Sequence, residues 1–164
     1  MSRLAPVLVM GVAGSGKSTV GAALAATLGV RFVDGDALHP PANVAKMAAG
    51  TPLDDADRAP WLDAIATVLA SGPVVVACSA LRRRYRDRLR AAAPELELVF
   101  LDGSRELLAH RLAERLHEFM PQSLLDSQLA TLEIPAPDEH AIRLDIALSV
   151  DELVATATDR LESA

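Results

Sequence analysis

The sequence predicts an α/β protein in which a five-stranded parallel sheet carries helices on both faces. The first observation is that short apolar runs alternate with segments of helical periodicity along the 164 residues. The second is a glycine-rich segment between the first apolar run and the first helical pattern. The third is that polar turn residues follow several of the apolar runs, at the sheet edge where ligands bind.

Each element is predicted from its own periodicity. Strands are predicted at residues 6–10, 31–34, 74–78, 96–101 and 142–147. Helices are predicted at residues 17–28, 41–48, 56–70, 82–92, 104–116, 122–131 and 150–162. Gly29 suits the end of the first helix, and Asp55 suits the N-cap of the third. No repeat or linker interrupts the alternation, so we expect one domain over residues 1–164.

Composition and charge narrow the classes of function. A net charge of −6 argues against a nucleic-acid partner. The single cysteine, Cys78, excludes an internal disulfide and is typical of a reducing compartment. No leader-like segment precedes the first strand, and no apolar run approaches the ~20 residues of a membrane span. We therefore expect a soluble cytoplasmic protein without a membrane partner.

The glycine-rich segment has the G-x-x-x-x-G-K-S pattern of a phosphate-binding P-loop. Its glycines let the backbone turn tightly and aim N–H groups into one concavity, and the following helix start adds a positive dipole end. Lys17 can reach the outer phosphates, and the Ser18 hydroxyl can bind Mg²⁺. A plain glycine turn is the alternative, but the flanking strand and helix favour nucleotide binding. The predicted ATP-binding residues are Gly11, Val12, Ala13, Gly14, Ser15, Gly16, Lys17, Ser18, Thr19 and Arg111.

Asp34-Gly35-Asp36 places two carboxylates one residue apart, directly after the second predicted strand. One carboxylate can face Mg²⁺, and the other can orient an acceptor hydroxyl and take its proton. Ordinary turn chemistry is the alternative, but the position beside a P-loop favours function. The third strand ends at Cys78 without the metal-binding Asp that many P-loop enzymes carry there. Asp34 is therefore the expected metal residue.

Three further segments could contribute to the site. Ser79 follows the third strand and could meet a ligand or cap the next helix. The arginines of residues 82–90 are spread around a predicted helix, so most should be solvated, with one or two near its start able to meet an anion. Arg111 and Arg115 share one face of a predicted helix. The helical periodicity breaks shortly after Arg115. That arrangement predicts a small lid over roughly residues 115–128, with a surface turn as the alternative.

The chain resembles the small P-loop gluconokinases, which are related to shikimate and nucleoside monophosphate kinases. The resemblance covers most of the chain and rests on the P-loop, on the segment Asp34-Gly35-Asp36-Ala37-Leu38-His39-Pro40 and on Cys78-Ser79-Ala80-Leu81. It implies a P-loop NTPase fold and ATP-dependent phosphorylation of D-gluconate to 6-phosphogluconate. It also implies a homodimer with a mobile lid.

The resemblance assigns roles by position. Asp36 would hold the acceptor hydroxyl and act as base, while cationic side chains would bind the gluconate carboxylate. The substrate-binding residues it implies are Asp36, His39, Arg58, Ser79, Arg82 and Gln128, the last without a firm role. The catalytic residues are Lys17, Asp36 and Arg115, and the metal ligands are Ser18 and Asp34.

The lid departs from the family pattern. Members usually have Gly-His before the lid phenylalanine, whereas this chain has His117-Glu118 before Phe119. Glu118 near a polyphosphate would be repulsive unless it points away. Three alternatives to a gluconokinase therefore stay open: a shikimate kinase, a nucleoside monophosphate kinase, and a nucleotide-binding module without sugar-acid kinase activity.

Overall fold

The computed structural model describes residues 4–114 and 122–163, and its strands form one sheet. The strands are β1 (Val7–Met10), β2 (Arg31–Asp34), β3 (Val74–Ala77), β4 (Glu97–Asp102) and β5 (Ile142–Asp145). Their order is β2-β3-β1-β4-β5, and all neighbouring pairs are parallel. The predicted α/β fold with a five-stranded parallel sheet is confirmed.

Seven α-helices lie within the described residues: α1 (Lys17–Leu28), α2 (Pro41–Ala48), α3 (Asp55–Ala70), α4 (Arg83–Ala92), α5 (Arg105–Glu114), α6 (Gln122–Thr131) and α7 (Val150–Glu162). Two short 3₁₀ turns span Gly35–Leu38 and Pro137–Glu139. None of the helices in these ranges is long and apolar enough to cross a membrane.

The central strands β1, β3 and β4 are buried over most of their length because they are mainly apolar, whereas the edge strands β2 and β5 are partly exposed. In β1, Val7 and Val9 point to one hydrophobic cluster, and Leu8 and Met10 point to the other. The first cluster is completed by α1, α5, α6 and α7, and the second by α3 and α4. Two apolar layers therefore fix the carboxyl ends of β1, β2 and β3 at one sheet edge.

Several predicted boundaries were wrong by one or two residues. Strands predicted at 6–10, 74–78, 96–101 and 142–147 lie instead at Val7–Met10, Val74–Ala77, Glu97–Asp102 and Ile142–Asp145. The sheet pairing still extends past two of these ends, since Cys78 donates to the Val9 carbonyl and Ile146 donates to the Asp102 carbonyl. The predicted helix 104–116 begins at Arg105 because the Ser104 hydroxyl caps it, accepting from the Leu107 amide at 3.1 Å.

The predicted cap of α3 was also wrong. Asp54, and not Asp55, is the N-cap: its carboxylate accepts from the Asp57 amide at 2.7 Å, and the Asp57 side chain accepts from the Asp54 amide at 3.0 Å. Asp55 is the first residue of the helix and binds Tyr85 and Arg84 instead. For the same reason α3 begins one residue earlier than the predicted 56–70.

The arginines of α4 are mostly exposed, as predicted, but Arg86 is not. Its side chain is 0% exposed and pairs with Glu139 at 2.7 Å. Arg86 lies on the helix face that also buries Tyr85 and Leu89. The helix starts at Arg83 rather than at 82, since Arg82 has the extended backbone of an N-cap residue.

Candidate active site

The P-loop lies between the central strand β1 and α1. Its glycines at 14 and 16 have φ of +86° and +89°, a conformation that side chains rarely adopt. A Cβ on Gly14 would also lie 3.0 Å from the Leu108 carbonyl oxygen and from the Leu112 side chain. The loop shape therefore depends on glycine at both positions.

The N-terminus of α1 is suited to an anion. Gly16 occupies the N-cap, and no side chain among the described residues caps this end of the helix. The first turn of α1 therefore points backbone N–H groups and the positive end of the helix dipole at the P-loop. Lys17 lies in the first turn with its Nζ 3.4 Å from the Val12 carbonyl oxygen, so its side chain folds back over the loop.

Ser18 and Asp34 form the pair that could hold a metal ion. The Ser18 hydroxyl donates to Asp34 Oδ2 at 3.1 Å, and Asp34 Oδ1 accepts from the Asp36 amide at 3.0 Å. The Ser18 hydroxyl oxygen and the Asp34 carboxylate oxygens are hard ligands of the kind that Mg²⁺ prefers. In the described ranges, no group of three or more His, Cys, Asp or Glu could hold a metal. The Ser18 and Asp34 oxygens are therefore of the type that would bind Mg²⁺.

The turn after β2 is fixed by close packing at Gly35. A Cβ on Gly35 would lie 2.5 Å from the Ala77 carbonyl oxygen, so the turn approaches the end of β3 more closely than any other residue allows. The Trp61 indole donates to the Gly35 carbonyl at 2.8 Å. The backbone of Asp36 is thus anchored while its side chain is exposed.

Cys78, the first residue after β3, lies near three of the predicted site residues. It is fully buried, and burial raises the pKa of its thiol to about 12. The same thiol interacts electrostatically with Asp36, Lys17 and Asp34. The P-loop lysine and both aspartates therefore lie around the end of β3, while Cys78 itself is an inert buried thiol.

His39 stacks on Trp61, with ring centroids 4.2 Å apart and planes inclined by 13°. Its Nδ1 lies 3.3 Å from Nδ2 of the Asn43 side chain. Burial lowers the pKa of His39 and nearby Arg58 lowers it further, while Asp36 opposes both. With its pKa below the ordinary value of 6.5, the His39 imidazole is mainly neutral at pH 7, beside Asp36 and Arg58.

Arg58 is held by Tyr85. Its Nη1 donates to the Tyr85 hydroxyl at 3.3 Å, and its guanidinium carbon lies 5.6 Å from the ring centroid. The Tyr85 hydroxyl in turn donates to Asp55 at 2.7 Å. Arg84 approaches the same ring at 5.3 Å and also donates to Asp55. Arg58 thus has a fixed direction in the half-buried region beside His39.

The segment 79–82 connects β3 to α4. Ser79 and Arg82 are half-buried, and Arg82 Nη1 lies 4.0 Å from the Glu133 carboxylate. Ala80 has φ of +44°, an unusual conformation for a residue with a side chain. Both predicted substrate-binding residues of this segment therefore follow the end of β3, next to the Asp36 turn.

Gln128 contacts the P-loop. Its Oε1 accepts from the Ala13 amide at 2.6 Å, although the two residues are 115 apart in sequence. Its predicted substrate role stays a prediction, but its described contact is with the nucleotide side of the site. No sequence pattern links these two positions.

A cavity of about 410 Å³ adjoins the P-loop, and Asp36 is not among its lining residues. It is lined by Gly16, Thr19, Arg111, Leu148 and Val150, among others. The Arg111 guanidinium donates to the Ile146 carbonyl, which holds it at the cavity wall. Leu148 and Val150 are exposed apolar residues that sequence reasoning missed, because nothing in their spacing distinguishes them from surface residues.

The predicted catalytic Arg115 lies outside the described residues, as do His117, Glu118 and Phe119. The predicted lid of residues 115–128 is therefore described only from Gln122 onward, as α6.

A P-loop after the central strand of a parallel sheet, with a carboxylate pair after β2, defines a kinase of the P-loop class. A family model described as an AAA domain matches residues 7–135. A gluconokinase of Gluconobacter oxydans is 53% identical over 143 residues, or 84% of this chain and 80% of that protein. The thermosensitive gluconokinase of Escherichia coli is 39% identical, over 96% of this chain and 85% of that protein.

Solved structures agree with these sequence relatives. The crystal structure of a gluconokinase from Sinorhizobium meliloti has a TM-score of 0.92 and 50% identity to this chain, and the match covers 99% of this chain and 94% of that one. The chain belongs to the gluconokinase family.

Proposed function

We propose that this protein transfers the γ-phosphoryl group of ATP to the 6-hydroxyl of D-gluconate, giving 6-phosphogluconate and ADP. The observation that carries the proposal is the exposed Asp36 carboxylate, on an anchored turn at the same end of β3 as Lys17. The membership of this chain in the gluconokinase family supports gluconate as the acceptor.

ATP would lie with its phosphates on the P-loop and its adenosine in the cavity beside Arg111. The loop amides and Lys17 would stabilise charge on the transferred group, and Arg115 would add a second cation. The Ser18–Asp34 pair would hold Mg²⁺, which would neutralise phosphate charge when bound. Residues 115–128 would act as the lid that excludes water.

Gluconate would bind on the opposite side of the gap. Asp36 would accept a hydrogen bond from the 6-hydroxyl and take its proton as the bond to phosphorus forms. Because His39 is neutral, the gluconate carboxylate would pair with Arg58 and Arg82. His39 and Ser79 would bind hydroxyl groups of gluconate.

An acceptor panel tests the proposal. Purified protein with MgATP should release ADP only with gluconate, and NMR of the product should show phosphate on the 6-oxygen. Shikimate, nucleoside monophosphates and other sugar acids should give only background release. Lys17→Ala is the negative control, since its side chain reaches the outer phosphates. ATP binding without transfer to any acceptor would favour a nucleotide-binding module instead.

We also expect a homodimer that acts in the cytoplasm. The resemblance to the family supports the dimer, and the reduced, buried Cys78 is compatible with a reducing compartment. Light scattering after size-exclusion chromatography measures the mass: about twice the 17.3 kDa of one chain supports the dimer, and one chain mass excludes it.

A further inference from the structure

Arg86 is a fully buried cation whose hydrogen-bonding capacity is filled. Its Nε and Nη2 bind the two oxygens of Glu139 at 2.7 and 3.0 Å. Nη1 donates to the carbonyls of Ala80 at 2.9 Å and Leu81 at 3.3 Å. Nη2 also donates to the Glu133 carbonyl at 2.9 Å. A guanidinium has five N–H donors, so this arrangement uses the whole side chain.

A contribution to stability is not enough to account for such an arrangement. A buried ion pair is generally no more stabilising than apolar side chains of similar volume, since both charges lose their hydration. The Glu139 side chain is 1% exposed and that of Arg86 is 0%, so desolvation is nearly complete for both. The contacts therefore point to a geometric role.

The groups that Arg86 holds belong to the acceptor side of the site. Ala80, whose φ is +44°, lies between Ser79 and Leu81, and its carbonyl is fixed by Arg86. The Leu81 carbonyl is also fixed from the other side, by the Glu133 amide at 2.7 Å. The Glu133 backbone is in turn tied to Arg86. One guanidinium thus connects the segment 79–82 to the chain that follows α6.

We propose that Arg86 is a positioning residue for the acceptor: its guanidinium, held by Glu139, keeps residues 79–82 in the shape that directs Ser79 and Arg82 to gluconate. This inference rests on the proposed function, which assigns those two residues to the substrate. Arg86 itself is buried and would not touch gluconate.

The test is the double variant Arg86→Met with Glu139→Leu, which removes both charges of the pair together and with them the donors to the Ala80 and Glu133 carbonyls. Arg90, which also contacts Glu139, keeps its ion pair with Asp87. The variant should fold and bind ATP with an unchanged KM, because within the described residues no hydrogen bond or ion pair joins the P-loop to Arg86 or Glu139. The KM for gluconate should rise about tenfold, the effect of losing one charge-assisted hydrogen bond to the substrate. A purely structural pair would alter the melting temperature and leave both KM values unchanged, which would overturn the inference.

The matched control is Arg88→Met with Asp63→Asn. This pair joins α4 to α3 at 2.8 Å, but its side chains are 45% and 63% exposed. Within the described residues, the Arg88 guanidinium donates to Asp63 and makes no hydrogen bond to residues 79–82. Both KM values should stay at the wild-type level. A similar rise in gluconate KM would mean that loss of any ion pair on α4 has this effect, and would contradict a specific role for Arg86.

Arg86→Lys decides the question if the double variant fails to fold. Lysine keeps the charge opposite Glu139 but cannot reproduce the forked contacts to Ala80, Leu81 and Glu133. A raised gluconate KM in this variant supports the positioning role. An unchanged gluconate KM would mean that Arg86 only compensates the charge of Glu139, and would overturn the inference. The proposed function is tested separately, since its failure appears as absent gluconate turnover in the wild-type protein.

Discussion

Asp34 and Asp36 are one residue apart but have different surroundings. Asp34 is held by the Ser18 hydroxyl and by the Asp36 amide, which directs its carboxylate to the P-loop. The Asp36 side chain is exposed, on a backbone anchored through Gly35 and Trp61. The turn can therefore present one carboxylate to a metal ion and the other to an acceptor.

Replacement of Asp36 by Asn should separate chemistry from nucleotide binding. Asparagine has nearly the same shape but cannot take the hydroxyl proton, so kcat should fall by about 10²–10⁴-fold. The KM for ATP should change little, since the phosphates lie on the P-loop. Steady-state kinetics in both substrates measure these effects, and a parallel loss of kcat and ATP affinity would indicate a structural aspartate instead.

Tyr85→Phe tests whether Tyr85 positions Arg58 for the gluconate carboxylate. The change removes only the hydroxyl that accepts from Arg58 and donates to Asp55, so the guanidinium should lose its fixed direction. We expect the gluconate KM to rise about threefold to tenfold, with the ATP KM unchanged. Asp55→Asn keeps an acceptor for the Tyr85 hydroxyl and should have a smaller effect. Unchanged gluconate KM in Tyr85→Phe would show that Arg58 needs no support from Tyr85.

At the scale of elements, the sequence predicted most of the structure because its signals are local. Apolar runs predicted all five strands, and the bounds of α1, α2, α6 and α7 were predicted without error. The cap of α3 was predicted wrongly, although Asp57 follows Asp54 by three residues and its side chain completes a reciprocal cap that Arg58 could not give Asp55. Asp55 instead binds Tyr85 and Arg84 of another helix.

Asp54→Ala should destabilise the protein through α3. The substitution removes the carboxylate that accepts from the Asp57 amide, and loss of an N-cap costs about 1 kcal/mol. The free energy of unfolding in urea measures the effect. Asp54→Asn is the control, since asparagine caps as well as aspartate and should cost little. Equal destabilisation by both changes would mean that charge, and not capping, stabilises this end of the helix.

At the scale of the whole molecule, the sequence could not predict contacts between distant segments. The P-loop pattern is local, but the bond from the Ala13 amide to Gln128 joins residues 115 apart. Arg86 was expected among solvated arginines because Glu139 lies 53 residues away, beyond the reach of any helical periodicity. The identity of the site was therefore predictable, while its supporting contacts required the fold.

The acid stability of the molecule should depend on Glu139. Burial raises the pKa of this carboxyl, but hydrogen bonds from Arg86, the Ala136 amide and Arg90 outweigh burial and lower it to about 2. The folded chain therefore binds its proton more weakly than the unfolded chain. The resulting stabilisation is complete above the ordinary pKa of 4.5 and is lost as the pH falls towards about 2.

Urea unfolding between about pH 5 and about pH 2 measures this dependence. The free energy of unfolding should fall with decreasing pH more steeply in the wild-type protein than in the Arg86→Met, Glu139→Leu variant. The difference in slope should approach one bound proton, because the variant lacks this carboxyl and keeps the others. Identical slopes would show that Glu139 titrates alike in the folded and unfolded chains.

The central claim is that Asp36 holds the acceptor hydroxyl in line with the phosphate on the P-loop. A crystal structure with ADP, aluminium fluoride and gluconate measures this directly. We predict that the Asp36 carboxylate lies about 2.6–3.2 Å from the gluconate 6-oxygen, with that oxygen facing the aluminium across from the ADP oxygen. An Asp36 side chain turned away from the gap, with the 6-oxygen bound by other groups, would contradict the account.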